Sequence, residues 1–136
     1  MASDALRAAR SGSGDIIIGW KLDPEQRREL LQQFPPKFER VVADHVTLAT
    51  KEASHAALPP EVDAAIIGRA DDGDGVEAMV VMIDGSSDRP DGSVYHITWS
   101  LAEGRRAKES NDMLAAQAWE RFDLPMPVRL IPARFS

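Results

Sequence analysis

Residues 94–101 read Val94-Tyr95-His96-Ile97-Thr98-Trp99-Ser100-Leu101. Polar residues alternate here with β-branched and aromatic ones at a period of two, which is typical of a strand with one buried face. Side chains two positions apart lie on the same face of a strand. The pattern therefore predicts that the His96 imidazole and the Thr98 hydroxyl share one face, while the large apolar side chains face the core.

An earlier stretch repeats this pattern, and it reads Ala43-Asp44-His45-Val46-Thr47-Leu48-Ala49. Both stretches have the order His-apolar-Thr-apolar, so His45 and Thr47 are also predicted to share one face of a strand. Two interpretations are open. The histidines are either hydrogen-bonded residues at the edge of a core, or two parts of one site that the fold brings together.

Composition limits the classes of protein that this chain can belong to. Its 136 residues are enough for one domain with a core, and 43% hydrophobic and 28% charged residues are ordinary for a globular protein. The absence of cysteine excludes disulfides and thiolate zinc sites. Without a membrane-length apolar run or a signal-peptide core, the sequence favours the cytoplasm. The net charge of −6 argues against broad attachment to nucleic acid but leaves a local basic pocket open.

The first half of the chain predicts a strand–helix–strand unit. Residues 1–14 have no periodicity and are interpreted as a flexible leader, and residues 15–136 as a single domain. A strand over 15–22 is expected to be buried on both faces, because it contains a run of isoleucines. A helix over 24–33 is predicted from the N-cap Asp23 and from Pro24, and Pro35-Pro36 ends it. A strand over 38–50 then carries the first motif.

The second half of the chain predicts further strands. Residues 51–60 form a loop that contains His55, and strands over 65–69 and 76–83 are joined by the turn Asp71-Asp72-Gly73-Asp74-Gly75. A calcium site in this turn is disfavoured, because the helical flanks of an EF-hand are absent. A polar loop over 84–92 leads to the second motif. A last strand is predicted over 128–135, with Pro125 and Pro127 limiting its start.

A basic loop follows the second motif. Arg105, Arg106 and Lys108 precede a helix predicted over 110–122, which would bury residues between 113 and 119 and have Ser110 or Asn111 as its N-cap. A helix N-terminus presents free backbone N–H groups and a positive dipole end, so the loop is either an anion site or a solvated charge run.

Two opposed imidazoles suggest proton transfer on a phosphodiester. A neutral histidine takes a proton from the attacking water or hydroxyl, and a protonated one gives a proton to the leaving oxygen. The hydroxyls of Thr47 and Thr98 are placed to donate hydrogen bonds to the non-bridging oxygens. This chemistry requires neither a metal nor a cofactor.

The chain resembles the 2H phosphoesterase superfamily, which is named for two His-x-Thr/Ser motifs, and within it the cyclic-phosphodiesterase domains of fungal-type tRNA ligases. The motifs are His45-Val46-Thr47-Leu48 and His96-Ile97-Thr98-Trp99. The flanks are similar too, and they are Leu22-Asp23-Pro24, Phe34-Pro35-Pro36-Lys37, Ala43-Asp44 and Lys108-Glu109-Ser110-Asn111. The resemblance covers residues 15–136.

The resemblance implies an α+β fold in which two pseudo-symmetric lobes of antiparallel strands, with packed helices, form a V-shaped groove. It implies a cyclic nucleotide phosphodiesterase that opens 2′,3′-cyclic phosphates at RNA ends or on nucleotides, as in RNA processing or repair. His45 and His96 would be the acid–base pair, while Thr47 and Thr98 would hold the phosphate. Lys108, Ser110 and Asn111 match the family loop after the second motif as ligand contacts, and we add Arg105, Arg106 and Tyr95 as candidate substrate contacts.

Other functions stay open. The same groove would suit a non-catalytic module that binds a phosphorylated RNA end or a nucleotide, and a partner-binding domain without a ligand is a further alternative. A histidine-based metal site is disfavoured, because the chain lacks cysteine and a closely spaced histidine pair. The acidic composition favours a short RNA end or a free nucleotide as substrate, and the protein is expected to be a monomer. His55 matches no motif position.

Overall fold

The computed structural model describes residues 16–135. The predicted leader, residues 1–14, lies outside the described residues. Those that are described form eight strands and two helices, which are β1 (Ile16–Leu22), α1 (Pro24–Gln33), β2 (Arg40–Val41), β3 (His45–Glu52), β4 (Ala64–Asp71), β5 (Val76–Ile83), β6 (His96–Leu101), α2 (Glu109–Ala116), β7 (Glu120–Val128) and β8 (Leu130–Phe135). Neither helix within residues 16–135 has the length and apolar character that crossing a membrane requires.

The strands form one antiparallel sheet in the order β7-β4-β5-β6-β3-β1-β8, with the short β2 also beside β6. β7 and β8 lie at opposite edges of the sheet, yet only Arg129 separates Val128 from Leu130. The two edges must therefore approach each other at this end, which requires the sheet to curl into a half-barrel. The domain is mostly sheet with two helices, in agreement with the α+β class that the sequence predicts.

Apolar side chains cover both faces of the sheet. On one face, α1 places Leu30 against a cluster that includes Trp20, Val46, Ile97 and Trp99. On the second face, α2 places Met113 and Leu114 against residues of β4, β5 and β6. The strand residues of this cluster include Ala65, Ile67, Val76, Ala78, Val80 and Leu101. The first face is the core of the domain, and the second is only partly covered.

Helix α1 has the bounds that its capping residues predict. The side chain of Asp23 accepts a hydrogen bond from the backbone N–H of Gln26 at 2.9 Å, and Pro24 occupies the first turn. The helix ends at Gln33, ahead of Pro35 and Pro36. The β4–β5 hairpin is confirmed as well: the strand predicted over 76–83 has the bounds of β5, while the strand predicted over 65–69 is shorter than β4 at both ends.

The strand predicted over 38–50 is wrong in one respect, because it is broken. β2 ends at Val41 and β3 begins at His45, and between them Ala43 has a left-handed φ of 43°. The break is stabilised by β6, since the N–H groups of Val42 and Ala43 donate to Trp99 O and Thr98 O at 2.9 Å each. The chain therefore bends immediately before His45.

The helix predicted over 110–122 is also wrong in its bounds. α2 covers Glu109–Ala116 and its N-cap is Lys108, so Ser110 lies within the helix. Trp119 leaves the helix to pack on Gly68 of β4, where an added Cβ would lie 2.4 Å from the indole ring. β7 then runs along β4 as an edge strand, a position in which Pro125 and Pro127 are tolerated because they need no ladder donor.

Two smaller expectations are corrected. The isoleucines of β1 are half-buried rather than buried on both faces, because β1 lies one strand from the edge and α2 covers only the other half of the second face. β3 extends beyond Thr50 to Glu52 with Lys51 at a φ of 58°, so part of the predicted loop over 51–60 is a strand.

Candidate functional site

The two motif strands are neighbours in the sheet. β3 and β6 pair antiparallel through a single residue pair, Val46 with Ile97, and both of these side chains are fully buried in the first face. Alternation along each strand then directs the flanking side chains to the second face. His45 and Thr47 of β3 therefore lie on the same face as His96 and Thr98 of β6, and we call these four residues the His–Thr cluster.

A glycine keeps the β3 half of the cluster open. Gly19 of β1 pairs with Thr47, and a Cβ added to Gly19 would lie 2.1 Å from Val46 O and 3.1 Å from the Cα of Thr47. No other residue type fits this approach without moving one of the strands. The second face therefore carries no side chain at position 19 beside Thr47.

The His45 imidazole is oriented by a carboxylate. Its Nδ1 lies 3.0 Å from Asp44 Oδ2, and the same oxygen accepts a hydrogen bond from Lys21 Nζ at 2.6 Å. The Phe135 ring packs edge-on against the imidazole with 4.4 Å between the ring centroids. Because a carboxylate can only accept, Nδ1 carries the proton and Nε2 is the free atom of the ring.

The His96 imidazole is oriented by a neutral group. It is only 9% exposed, and its Nδ1–H donates to Val94 O at 2.9 Å. A carbonyl oxygen has no proton to give, so this ring also leaves Nε2 free. The two histidines thus present the same nitrogen, while one is tied to a negative charge and the other to a dipole.

Both imidazoles are less basic than a free histidine. Burial is the main cause that lowers the pKa of His45 below 6.5; the Asp44 carboxylate opposes it, and Lys21 adds to it. Burial is also the main cause that lowers the pKa of His96 below 6.5, opposed by the hydrogen bond to Val94, while Arg89 and His45 add to the lowering. Both rings are therefore mainly neutral in the free protein at pH values above 6.5.

The Asp44 carboxylate is ionised over this range. Burial alone would raise its pKa, but the hydrogen bonds from Lys21 and His45 outweigh burial, so the pKa of Asp44 lies below its usual range. Asp44 is therefore a negative charge next to His45 at every pH at which the histidines titrate.

The Thr98 hydroxyl contacts the first turn of α2. Its Oγ1 lies 2.9 Å from the Oγ of Ser110, which is fully buried, and 3.4 Å from Ala107 O. The longer contact is a weak hydrogen bond, so Thr98 retains a proton to donate when Ser110 donates to it. Ser110, predicted as a ligand contact, is thus brought to the cluster through Thr98.

The other predicted contacts lie around the start of α2. Lys108 and Arg106 are exposed, and Lys108 makes no side-chain capping bond. The side chain of Asn111 has a buried Oδ1 without a hydrogen-bond partner. Arg105 instead ties this loop to the Asp71–Gly75 turn through Asp72 at 2.9 Å, and it also donates to Glu109 at the start of α2 at 2.9 Å. That network engages the guanidinium away from the cluster, so Arg105 is not part of the proposed site.

Tyr95 is placed elsewhere. It is buried in the first face, where its ring meets Trp20 edge-on with a centroid distance of 6.2 Å, and it therefore packs in the core rather than beside His96 on the second face. His55 is exposed in a turn outside the cluster.

The Asp71–Gly75 turn between β4 and β5 is organised by its own carboxylate. Asp72 accepts hydrogen bonds from the backbone N–H groups of Asp74 and Val76. Within residues 16–135 no group of three or more histidine, aspartate or glutamate side chains is arranged to hold a metal ion.

Four residues around the cluster were not predicted from the sequence. They are Asp44, Lys21 and Phe135 around His45, and Arg89 near His96. Asp44 has a local signal, because it precedes His45 directly. Lys21 and Phe135 come from β1 and β8, and only the sheet register brings them close to His45. Arg89 lies in the turn that precedes β6. A separate open cleft, lined in part by Asp23, Asp63 and Arg129, contains none of the cluster residues.

Comparison of the chain with models of protein families, with curated proteins and with solved structures finds no match. The function is therefore inferred from the chemistry of the cluster.

Proposed function

We propose that the protein is a metal-independent phosphodiesterase of the 2H phosphoesterase type, which opens 2′,3′-cyclic phosphates at RNA ends or on nucleotides. One observation carries the proposal: both His-Thr pairs lie on one face of two adjacent strands, and both imidazoles present Nε2. Two titrating groups and two hydroxyls on a shared surface are the parts that acid–base cleavage of a phosphodiester needs.

The groove of the family has a counterpart in the strand order. β7, β4, β5 and β6 form one half of the sheet and β3, β1 and β8 the other, and β3 pairs with β6 only at Val46 and Ile97. The segment before β3 stays bonded to β6 through β2, Val42 and Ala43, whereas the rest of β3 towards Glu52 has no residue pair with β6 and diverges from it. We infer that the two halves correspond to the two lobes of the family and that the substrate lies between them.

The two histidines have different proton-transfer roles in this mechanism. The Asp44 carboxylate stabilises an imidazolium at His45, whereas Arg89 and the absence of a carboxylate disfavour one at His96. His96 takes the proton from the attacking water as general base. His45 gives its proton to the ribose oxygen that leaves phosphorus, so a phosphomonoester and a free hydroxyl result.

The hydroxyls and the start of α2 act on the phosphate. Thr47 and Thr98 donate to the non-bridging oxygens, where negative charge accumulates in the transition state. Lys108 and the N-terminus of α2 lie beyond Thr98 and Ser110, so they add positive potential on the same side. The net charge of −6 favours a short RNA end or a free nucleotide over a long RNA.

The test is hydrolysis of 2′,3′-cyclic mononucleotides and of a short RNA with a cyclic phosphate end, in the presence of chelator. His45→Ala and His96→Ala should each lower turnover by about 10²–10⁴-fold. His55→Ala is the matched control, because it removes an exposed histidine outside the cluster, and it should leave turnover unchanged. Resolution of 2′- and 3′-phosphate products identifies the bond that breaks. Activity that is lost in chelator, or that survives both cluster variants, would contradict the mechanism.

A second function has one observation in its favour. Because the pKa of each histidine is lowered from 6.5, both imidazoles of the free protein are mainly neutral at neutral pH, and a general acid needs a protonated one. A non-catalytic module that binds phosphorylated RNA ends or nucleotides needs none. Saturable binding of the same ligands without turnover, at every pH from acidic to neutral, would select this alternative.

A further inference from the structure

The ammonium of Lys21 lies on the second face beside the His–Thr cluster. Lys21 pairs with His45 across β1 and β3, and its side chain is 39% exposed. Its Nζ lies 2.6 Å from Asp44 Oδ2 and 4.5 Å from the centroid of the Phe135 ring. The aromatic ring and the carboxylate together hold this cation next to the imidazole.

We propose that Lys21 is an anion-binding residue, and that a phosphate at the cluster replaces Asp44 as the partner of the ammonium and leaves the Asp44 carboxylate to His45 alone. The naming of a cyclic nucleotide as the natural ligand rests on the proposed function. The anion site itself does not, because it depends only on the positions of Lys21, Asp44 and His45.

The exchange is physically accessible because the ion pair is exposed. Solvated Lys–carboxylate pairs contribute little stability, so a second anion can compete for the ammonium. Lys21 and His45 also share one oxygen, Oδ2, which divides the negative charge of Asp44 between them. A lysine side chain has a long flexible stem, and rotation about it can move the ammonium from Asp44 towards the cluster while the strand stays in place.

The consequence concerns the protonation of His45. The groups that face its imidazole are Asp44, Lys21 of β1, His96 of β6 and the uncharged ring of Phe135 of β8. Burial lowers the pKa of His45, Asp44 raises it and Lys21 lowers it further. When the ammonium turns to a phosphate, the carboxylate acts on the imidazole alone and the ligand adds negative charge, so the pKa of His45 rises. Binding of the anion would thus load the acid that cleavage requires.

The experiment is a titration of the histidine ring protons by NMR in the full chain, with and without inorganic phosphate. His45→Ala and His96→Ala assign the signals. In the wild type, saturating phosphate should raise the pKa of His45. In Lys21→Met the pKa of His45 should be higher than in the wild type before phosphate is added, and phosphate should bind about ten- to a hundredfold more weakly.

A matched control is available in the same chain. Lys37 Nζ pairs with Asp71 at 2.6 Å and is 41% exposed, so Lys37→Met removes an ion pair of nearly the same length and exposure away from the cluster. It should change neither phosphate affinity nor the pKa of His45. Lys21→Arg keeps the charge and should retain most of the affinity, and amide spectra of each variant verify that it is folded.

The outcomes separate this inference from the proposed function. Unchanged phosphate affinity and an unchanged His45 pKa in Lys21→Met overturn the inference, as does an equal loss in Lys37→Met. Full cyclic-phosphate hydrolysis by Lys21→Met would likewise overturn the inference while the proposed function stands. The expected NMR changes in a protein without any hydrolytic activity would support Lys21 as an anion-binding residue and contradict the proposed function.

Discussion

The two His-x-Thr segments have the same sequence pattern but different surroundings. The first segment follows the bend between β2 and β3. Its histidine side chain is 26% exposed, and the Nδ1 of that histidine contacts a carboxylate. The second lies in β6, where every residue from His96 to Leu101 is buried and Nδ1–H donates to a backbone carbonyl. The repeat in sequence is therefore not a repeat in electrostatics.

This difference supports the proposal that the two imidazoles have opposite proton-transfer roles. A charged partner favours the imidazolium, and a neutral partner in a buried site disfavours it. The fold obtains the difference by placing a bend and a carboxylate before one copy and a continuous buried strand around the other.

The largest expected effect comes from removing either histidine and recording the pH dependence of kcat/KM. For the wild type we expect a bell whose optimum lies below pH 6.5, because the pKa of each histidine is lowered from that value. The rate falls on the alkaline side as His45 loses its proton, and on the acid side as His96 gains one. The residual activity of His45→Ala should lack the alkaline fall, and that of His96→Ala the acid fall.

The reverse assignment of the limbs would mean that the charged surroundings of His45 do not decide the roles. Loss of the same limb in both variants would mean that the two histidines titrate as one coupled pair. His55→Ala, with its intact cluster, should reproduce the wild-type bell.

The next effect concerns the carboxylate that distinguishes the two copies. Asp44→Asn removes the charge that raises the pKa of His45, so the alkaline limb of kcat/KM should move to lower pH and activity at neutral pH should fall by about 10–100-fold. Asp71→Asn in the comparable Lys37 pair is the control and should leave the profile in place. A loss of activity without movement of the limb would show that Asp44 only orients the ring.

The two threonines should differ in stability rather than in chemistry. Thr98→Val removes the partner of the fully buried Ser110 hydroxyl and should lower the free energy of unfolding by about 1–2 kcal/mol. Thr47→Val affects a half-exposed side chain and should leave stability unchanged while it weakens catalysis. Denaturant unfolding of Thr98→Val, Ser110→Ala and the double variant measures their coupling, and additive losses would refute the buried hydrogen bond.

Elements with local signals were predicted well. The helix over residues 24–33 follows from Asp23, Pro24 and the proline pair, and the β4–β5 hairpin follows from the turn residues between its strands. Two boundaries depend on distant residues and were wrong. The break at Ala43 requires hydrogen bonds to β6, and α2 stops at Ala116 because Trp119 packs on Gly68, contacts that no local pattern contains.

The site shows the same division. Alternation within each strand predicts which side chains share a face, and this holds for both His-Thr pairs. That β3 and β6 are neighbours, and that Lys21 and Phe135 lie beside His45, follows only from the order of strands in the sheet. Lys21 and Phe135 are far from His45 in the sequence, and no repeating pattern of residues links these positions to it.

The smallest expected effect concerns the bend that separates the first copy from the second. Ala43 is fully buried at a φ of 43°, and Arg27 donates from Nε to Ala43 O at 2.8 Å and from Nη2 to Val42 O at 3.1 Å. A left-handed alanine is strained where glycine is not, but glycine also increases the entropy of the unfolded chain. Ala43→Gly should therefore raise the free energy of unfolding by no more than about 1 kcal/mol.

Lys51→Gly is the matched comparison, because Lys51 has a φ of 58° in β3, the strand that follows the bend, but is exposed and outside the cluster. A similar gain in both variants, with unchanged turnover, would show that the hydrogen bonds around the bend, from Arg27 and to β6, keep Asp44 and His45 in place without a non-glycine residue at position 43. A gain in both variants with turnover lost only in Ala43→Gly would show instead that the rigidity of a non-glycine residue at the bend orients His45. Destabilisation by Ala43→Gly alone would mean that packing of the buried methyl group outweighs the backbone strain, and the bend would then be a requirement of the core rather than of the site.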